Sequence, residues 1–335
     1  MKDYLQKLVR REDLNEGEAT AAFDVIMEGG ATPAQLGAFL TAMKLKGETT
    51  AEIAGASRSM RRHAVFVDPR GKGVVDTCGT GGDSLGTFNI STTAAFVVAG
   101  AGVPVAKHGN RSITSKCGSA DVLAELGVNL EAAPEAMEEC LHEVGIGFLY
   151  APKLHPAMKH AMGPRRELGF RTLFNLLGPL TNPAGAKGQV LGVFAPELTE
   201  VFAEVLRLLG SRRVFVVHGH DGMDEITVTT TTRVSELRDG NILTYDLDPL
   251  RFMEEYAEAG ALRGGEAPEN AAILKAILGG EKGPKRDIVC LNAAAAIVAG
   301  GKAKDLQEGF RLAGEAIDGG RAMSALEGLI RKSKG

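Results

Sequence analysis

From Val74 onward the chain alternates short β-branched runs with helical segments, and this alternation constrains the fold more than any other feature. Val74-Val75-Asp76-Thr77-Cys78, Val103-Pro104-Val105-Ala106, Gly147-Phe148-Leu149-Tyr150, Val190-Leu191-Gly192-Val193-Phe194 and Val214-Phe215-Val216-Val217 read as strands, with helical stretches such as 197–209 between them. Apolar strands separated by helices pair in parallel and need cover on both faces. The pattern therefore predicts an α/β fold with a mostly parallel central sheet flanked by helices. A polar alternating stretch, 226–237, followed by 242–245, predicts antiparallel additions at one edge, and from about Pro268 the chain reads as helical and alanine-rich.

The first 68 residues read differently, as helices alone. Thr32-Pro33 supplies a cap and a first-turn proline, Leu36, Phe39, Leu40 and Met43 recur at helical spacing, Gly47 ends the run, and Glu48-Thr49-Thr50 opens another helix. The expected organisation is a small all-helical domain over 1–68 and a larger α/β domain over 69–335. The apolar stretch Leu173-Phe174-Asn175-Leu176-Leu177-Gly178-Pro179-Leu180-Thr181-Asn182-Pro183 is broken by Gly-Pro and Asn-Pro, which favours a crossing. It predicts a return segment to the helical domain near 165–185.

Composition removes several functions. Tryptophan is absent, aromatic residues make up 5% and the formal charge is -4, which supplies neither a stacking surface nor a basic footprint for nucleic acid. No apolar run reaches the roughly 18 residues a spanning helix needs, and the N-terminus lacks a signal-peptide core, so no membrane partner and a cytoplasmic location are expected. Cys78, Cys117, Cys140 and Cys290 lack Cys-x-x-Cys spacing and read as reduced thiols.

Chemistry concentrates at the ends of the expected strands. Gly79-Thr80-Gly81-Gly82-Asp83 lies between the first strand and a helix opening at Asn89-Ile90-Ser91-Thr92-Thr93. Glycines leave main-chain amides uncovered, and a helix start adds unpaired N–H groups and a positive dipole end, so the junction suits an anion. It is not a Walker loop, lacking the Lys-Ser or Lys-Thr pair, nor a dinucleotide fingerprint, since Ser84 replaces the third glycine. The carboxylate of Asp83 repels a bare phosphate, which points to a sugar phosphate carried with a divalent cation. A glycine-rich turn with no ligand would have the same composition.

Lys107-His108-Gly109-Asn110-Arg111-Ser112-Ile113-Thr114-Ser115 follows the second strand and should face the same crevice, with Lys107 as a point charge and Ser115 and Ser119 as donors. Asp221-Gly222-Met223-Asp224-Glu225 is an acidic turn of a kind that is usually solvated. Beside a diphosphate, Asp224 and Glu225 become magnesium ligands. His218-x-His220 lacks a third ligand at zinc spacing. Arg165, Arg166 and Arg171 each offer a planar fork for a substrate carboxylate, and the residues alone leave the choice among them open.

Taken in order, the glycine loop, Asn89-Ile90-Ser91-Thr92, Lys107-His108-Gly109-Asn110-Arg111, Asp224-Glu225 and the 174–183 stretch closely resemble the anthranilate phosphoribosyltransferases over essentially the whole chain. Pro164 departs from the aliphatic residue expected there. The resemblance implies a nucleoside phosphorylase/phosphoribosyltransferase-like architecture, a homodimer formed through the helical domain, and transfer of the phosphoribosyl group from phosphoribosyl pyrophosphate to anthranilate in tryptophan biosynthesis. It places Gly79, Gly82, Asp83, Thr87, Asn89, Ser91, Thr92, Lys107 and Ser119 around phosphoribosyl pyrophosphate, and Ser91, Asp224 and Glu225 around Mg2+, with two ions per subunit. Anthranilate falls to Gly79, Asn110, Arg165, His108 and His155, with Lys107, Arg165 and Asn110 as catalytic residues. No room is expected for a fused amidotransferase domain. The rivals are a pyrimidine nucleoside phosphorylase, disfavoured by the acidic pair and by Asn110 with Arg165, and a non-catalytic nucleic-acid-binding relative, disfavoured by charge. The reading requires that the glycine bend and the acidic doublet meet in space.

Overall fold

The computed structural model describes residues 1–81, 85–112 and 116–335; Gly82, Asp83 and Ser115 lie outside the described residues. Four helices open the chain, α1 (Lys2–Val9), α2 (Glu16–Met27), α3 (Pro33–Lys46) and α4 (Thr50–Arg62). Asn15, Thr32 and Thr49 each close a capping box with the residue three positions on, which satisfies amides the helix cannot pair internally. Gly47, at φ 89°, ends α3 in a conformation that side chains resist.

The sheet has seven strands: β1 (Val75–Gly79), β2 (Val105–Gly109), β3 (Ile146–Tyr150), β4 (Gly188–Gly192), β5 (Arg213–Gly219), β6 (Thr232–Arg238) and β7 (Asn241–Leu247). Their order is β3-β2-β1-β4-β5-β6-β7. The pairs from β3 through β5 are parallel, and β6 and β7 add antiparallel at one edge. Connections and C-terminal cover come from α5 (Ile90–Gly100), α6 (Ser119–Glu125), α7 (Pro134–Glu139), α8 (Ala151–Leu154), α9 (Lys159–Leu168), α10 (Phe174–Leu177), α11 (Leu198–Leu208), α12 (Ala267–Leu278), α13 (Pro284–Ala299), α14 (Leu306–Asp318) and α15 (Arg321–Lys332).

The edge addition starts later than its alternation suggests. Residues 226–231 form no strand, and β6 begins at Thr232. Two side chains bend the segment away from the ladder. The carboxylate of Asp221 accepts from the hydroxyls of Thr227 and Thr229, while Asn292 on α13 accepts from Ile226 N–H at 2.9 Å and donates to its carbonyl at 2.9 Å.

Period-2 alternation divides the sheet between two cores. Val190, Phe215 and Val217 face one side, packed with α5, α13, α14 and α15; Leu191, Val214 and Val216 face the other, in one cluster with Phe23, Phe39, Phe174 and Phe202. Leu173, Leu177 and Leu180 belong to that second cluster, where the rings of Phe23 and Phe174 lie 5.4 Å apart. The four N-terminal helices thus share a core with the back of β4 and β5.

Strand order reverses direction at β1, with β2 and β3 to one side and β4 and β5 to the other. Loops leaving the carboxyl ends of β1 and β4 diverge there, opening the crevice in which parallel sheets bind ligands.

Candidate active site

At that crevice the glycine loop and the acidic doublet touch. The Gly81 amide donates to Asp224 Oδ2 at 3.0 Å. Two glycines make the approach possible: a Cβ on Gly79 would lie 2.7 Å from Asp224 Oδ2, and one on Gly192 only 1.6 Å from the Asp224 carbonyl oxygen. The loop is also stitched to β4, through Thr80 N–H to Gly192 O at 2.9 Å and Phe194 N–H to Thr80 Oγ1 at 3.1 Å. Asp221 and Asn292 hold the turn that presents Asp224 and Glu225, one before the doublet and one after it.

Between β1 and β2 the sheet opens. Only Val75 and Val105 are in register there, whereas β1 pairs with β4 along all five residues. Buried polar side chains occupy the gap. Asp76 Oδ1 accepts from His108 N–H at 3.1 Å, and Asn182 donates to Asp76 Oδ2 and to Ala106 O, both at 2.8 Å. The split lets Lys107 Nζ reach across and donate to Thr77 O. Thr77 Oγ1 in turn donates to Ser91 O at 3.0 Å, so one threonine joins Lys107 to the first turn of α5. Burial lowers the Lys107 pKa, opposed by the negative charges of Asp76 and Glu225, so Lys107 and the acidic doublet share one electrostatic environment. Burial likewise raises Asp76, with Lys107 opposing.

The remaining residues expected around phosphoribosyl pyrophosphate lie along the same strand ends. Thr87 forms an isolated antiparallel bridge with Arg263, Asn89 occupies the N-cap of α5, Ser91 is half-buried and Thr92 is buried. On the second loop, Ser119 Oγ donates to Asn110 O at 3.2 Å, and Asn110 Oδ1 accepts from Arg111 N–H at 2.7 Å. Asp121 ties that loop by accepting from Ser112 N–H at 3.0 Å, Gly118 N–H at 2.9 Å and Arg111 Nη1 at 2.8 Å.

His108 and His155 form a buried pair, with Nε2 atoms 3.1 Å apart. His108 Nδ1 lies 3.2 Å from Gly178 O, and a carbonyl can only accept, so Nδ1 carries the hydrogen. Burial pushes His108 down to about 3 and His155 down to about 4. Both rings are therefore neutral near pH 7, and His155 Nε2–H donates to the Nε2 lone pair of His108.

Of the three arginines, Arg166 is exposed, Arg171 stacks on Phe194 at 4.6 Å, and Arg165 is half-buried, 5.0 Å from the Phe174 ring centroid. Burial lowers the Arg165 pKa, and among the described residues no ion pair engages it. It lies on α9, which follows His155 closely and continues through Pro164 to Gly169. Among the described residues no hydrogen bond joins it to Asn110, His108 or His155, so the contacts alone leave it apart from them.

The site also rests on the supporting polar residues Asp76, Asn182, Asn270 and Asn292, all buried, which the sequence does not mark. Their partners are distant in the chain, so no local spacing marks them. Gly264-Gly265 ahead of the proline-led α12 is a sequence signal of the close approach: a Cβ on Gly264 would lie 2.6 Å from the backbone of Phe88.

Hard oxygen donors at Ser91, Asp224 and Glu225 fit a magnesium ion. Among the described residues no group of three or more His, Cys, Asp or Glu could hold a metal alone, so such an ion would draw further ligands from substrate and water.

Comparison with known proteins converges on one family. Residues 2–64 match the glycosyl transferase family helical bundle domain, and residues 71–323 its α/β domain. An anthranilate phosphoribosyltransferase of Desulfosudis oleivorans is 59% identical over 331 residues, covering 98% of each chain. The crystal structure of the enzyme of that name from Thermus thermophilus superposes with a TM-score of 0.94 at 45% identity, over 99% of this chain and 100% of that one. The Saccharomyces cerevisiae enzyme, solved in complex with PRPP and Mg, gives 0.88 at 30% identity, over 99% and 97%. With its sheet, its crevice and nearly its whole length shared with these proteins, the chain belongs to the anthranilate phosphoribosyltransferase family.

Proposed function

We propose that this chain transfers the phosphoribosyl group of phosphoribosyl pyrophosphate to the amine of anthranilate, releasing pyrophosphate, as a step of tryptophan biosynthesis. The observation that carries the reading is the 3.0 Å hydrogen bond from Gly81 N–H to Asp224 Oδ2, which unites an amide-rich anion loop with an acidic doublet at the switch point of a parallel sheet.

Within this reading Gly79, Thr87, Asn89, Ser91, Thr92, Lys107 and Ser119 surround the donor, as do Gly82 and Asp83. Ser91, Asp224 and Glu225 hold magnesium, two ions per subunit, whose charge offsets that of the diphosphate when bound. Lys107 contributes a fixed positive charge near the leaving group, held by Thr77 O, and the uncapped Ser91 and Thr92 amides at the start of α5 add oriented donors. Asn110 and Arg165 orient anthranilate, the guanidinium facing its carboxylate, and the neutral pair of His108 and His155 lines its approach. The aromatic amine is unprotonated at neutral pH, so attack at the ribose carbon needs no strong base; the proton it sheds passes to solvent or pyrophosphate. The chain works in the cytoplasm as a homodimer joined through its N-terminal helices.

The test is loss of anthranilate fluorescence with and without phosphoribosyl pyrophosphate and magnesium. Consumption that requires both is expected. Phosphate-dependent release of base from thymidine, with no anthranilate consumed, would replace this reading with a nucleoside phosphorylase.

A further inference from the structure

Asparagine is among the best N-cap residues, because its side-chain oxygen accepts from the free amides of the first turn. Asn15, Thr32, Thr49 and Asp305 cap helices of this chain in that way, each accepting from the amide three residues on. Asn89 sits at the N-cap of α5 and makes no such bond. Its side chain is diverted. Oδ1 accepts from Asn270 Nδ2 at 3.0 Å, and Nδ2 donates to Cys117 O at 3.1 Å.

Asn270 is built to hold that geometry. It is 2% exposed, and its own Oδ1 accepts from Gly265 N–H at 2.8 Å, which fixes the orientation of the amide. The segment before it is laid along the residues that precede α5, through Phe88 N–H to Leu262 O at 3.3 Å and Gly264 N–H to Gly86 O at 3.0 Å. Gly264 leaves no room for adjustment, since a Cβ there would lie 2.6 Å from Asn270 Oδ1 and from Phe88 N.

We propose that Asn270 is a positioning residue for the phosphoribosyl donor: by holding the Asn89 side chain outward, it keeps the Ser91 and Thr92 amides in the first turn of α5 open to a phosphate group, the Ile90 amide being paired with Phe88 O. Freed from Asn270, Asn89 folds back onto those amides and competes with the ligand as an internal cap. The inference rests on the donor site proposed above and names a residue that acts there without touching the ligand.

A double-mutant cycle on binding of phosphoribosyl pyrophosphate with magnesium, read by titration calorimetry, tests it. Asn270→Ala is expected to weaken donor binding about tenfold, the scale of one competing hydrogen bond, while KM for anthranilate stays within twofold. In an Asn89→Ala background, where no side chain can fold back, the same substitution should change donor affinity less than twofold. Thermal denaturation reports separately on stability, which a merely structural role would lower equally in both backgrounds. Should Asn270→Ala fail to fold, Asn270→Ser carries the same expectations. Unchanged donor affinity in the single variant, or an equal loss in the Asn89→Ala background, overturns the proposal. A wild-type chain that does not bind the donor overturns instead the function on which it rests.

Discussion

The two halves of the site are built from different materials. On the proposed reading the donor side is framed largely by main chain: glycines at positions 79, 81 and 192, the uncapped start of α5, and an acidic turn pressed against them. The proposed acceptor side is made of side chains drawn from separate segments, with His108 from β2, His155 beside α8 and Arg165 from α9 packed on Phe174. Backbone tolerates no added atom where it approaches other backbone, whereas a side-chain pocket can be resized one residue at a time. The donor half should therefore respond sharply to the smallest substitutions, and the acceptor half gradually.

The largest effect is expected at the acidic doublet. Asp224→Asn with Glu225→Gln keeps size and one acceptor oxygen on each side chain but removes two charges, so turnover should fall about a thousandfold while far-UV dichroism and Tm barely move. Rate against magnesium concentration is the decisive measurement. A wild-type response would take the metal away from these carboxylates.

Gly192→Ala comes next. Its Cβ would lie 1.6 Å from the Asp224 carbonyl oxygen, a backbone atom that cannot step aside, so the acidic turn must move as a unit. A loss of about a hundredfold in kcat/KM is expected. Gly79→Ala meets only the end of the Asp224 side chain, which can rotate, and should cost distinctly less. Equal losses at both positions would break the distinction between backbone and side-chain contact.

The same contrast governs what the sequence discloses. The strand-to-helix glycine loop and the acidic turn each carry a local signature, because the chemistry of a backbone site is written in consecutive residues. Strand alternation likewise exposes the parallel sheet and its antiparallel edge, though not the bend at 226–231, which depends on Asn292, far along the chain on α13. On the acceptor side, the three arginines at 165, 166 and 171 look alike in sequence, and only burial separates half-buried Arg165 from exposed Arg166. The gap between β1 and β2 is invisible from either strand alone, since Asn182 supplies part of its filling from the crossing segment.

Arg165→Ala tests the acceptor half. Loss of the guanidinium proposed to face the anthranilate carboxylate should raise KM for anthranilate about tenfold and leave KM for the donor within twofold. Donor and acceptor constants that rise together would mean that α9 braces both halves and that their separation is artificial.

The smallest effect concerns the histidine pair and appears in stability rather than rate. In the fold His108 is held down to about 3 and His155 to about 4, while both titrate near 6.5 once unfolded. Between those limits the unfolded chain binds more protons than the native one, so stability rises with pH through the window. It is complete above about 6.5 and is lost on acidification through about 4 toward about 3. His155→Gln preserves a donor to His108 Nε2 but removes one titrating ring. Its unfolding free energy, from denaturant curves taken at a series of pH values, should fall less steeply in that window, by up to about 1.4 kcal/mol per pH unit, the slope of a single proton. Above pH 7 the two curves should run parallel. Profiles that stay parallel down to pH 4 would mean that the rings remain hydrated and charged in the fold, and the acceptor half would then be as polar as the donor half it faces.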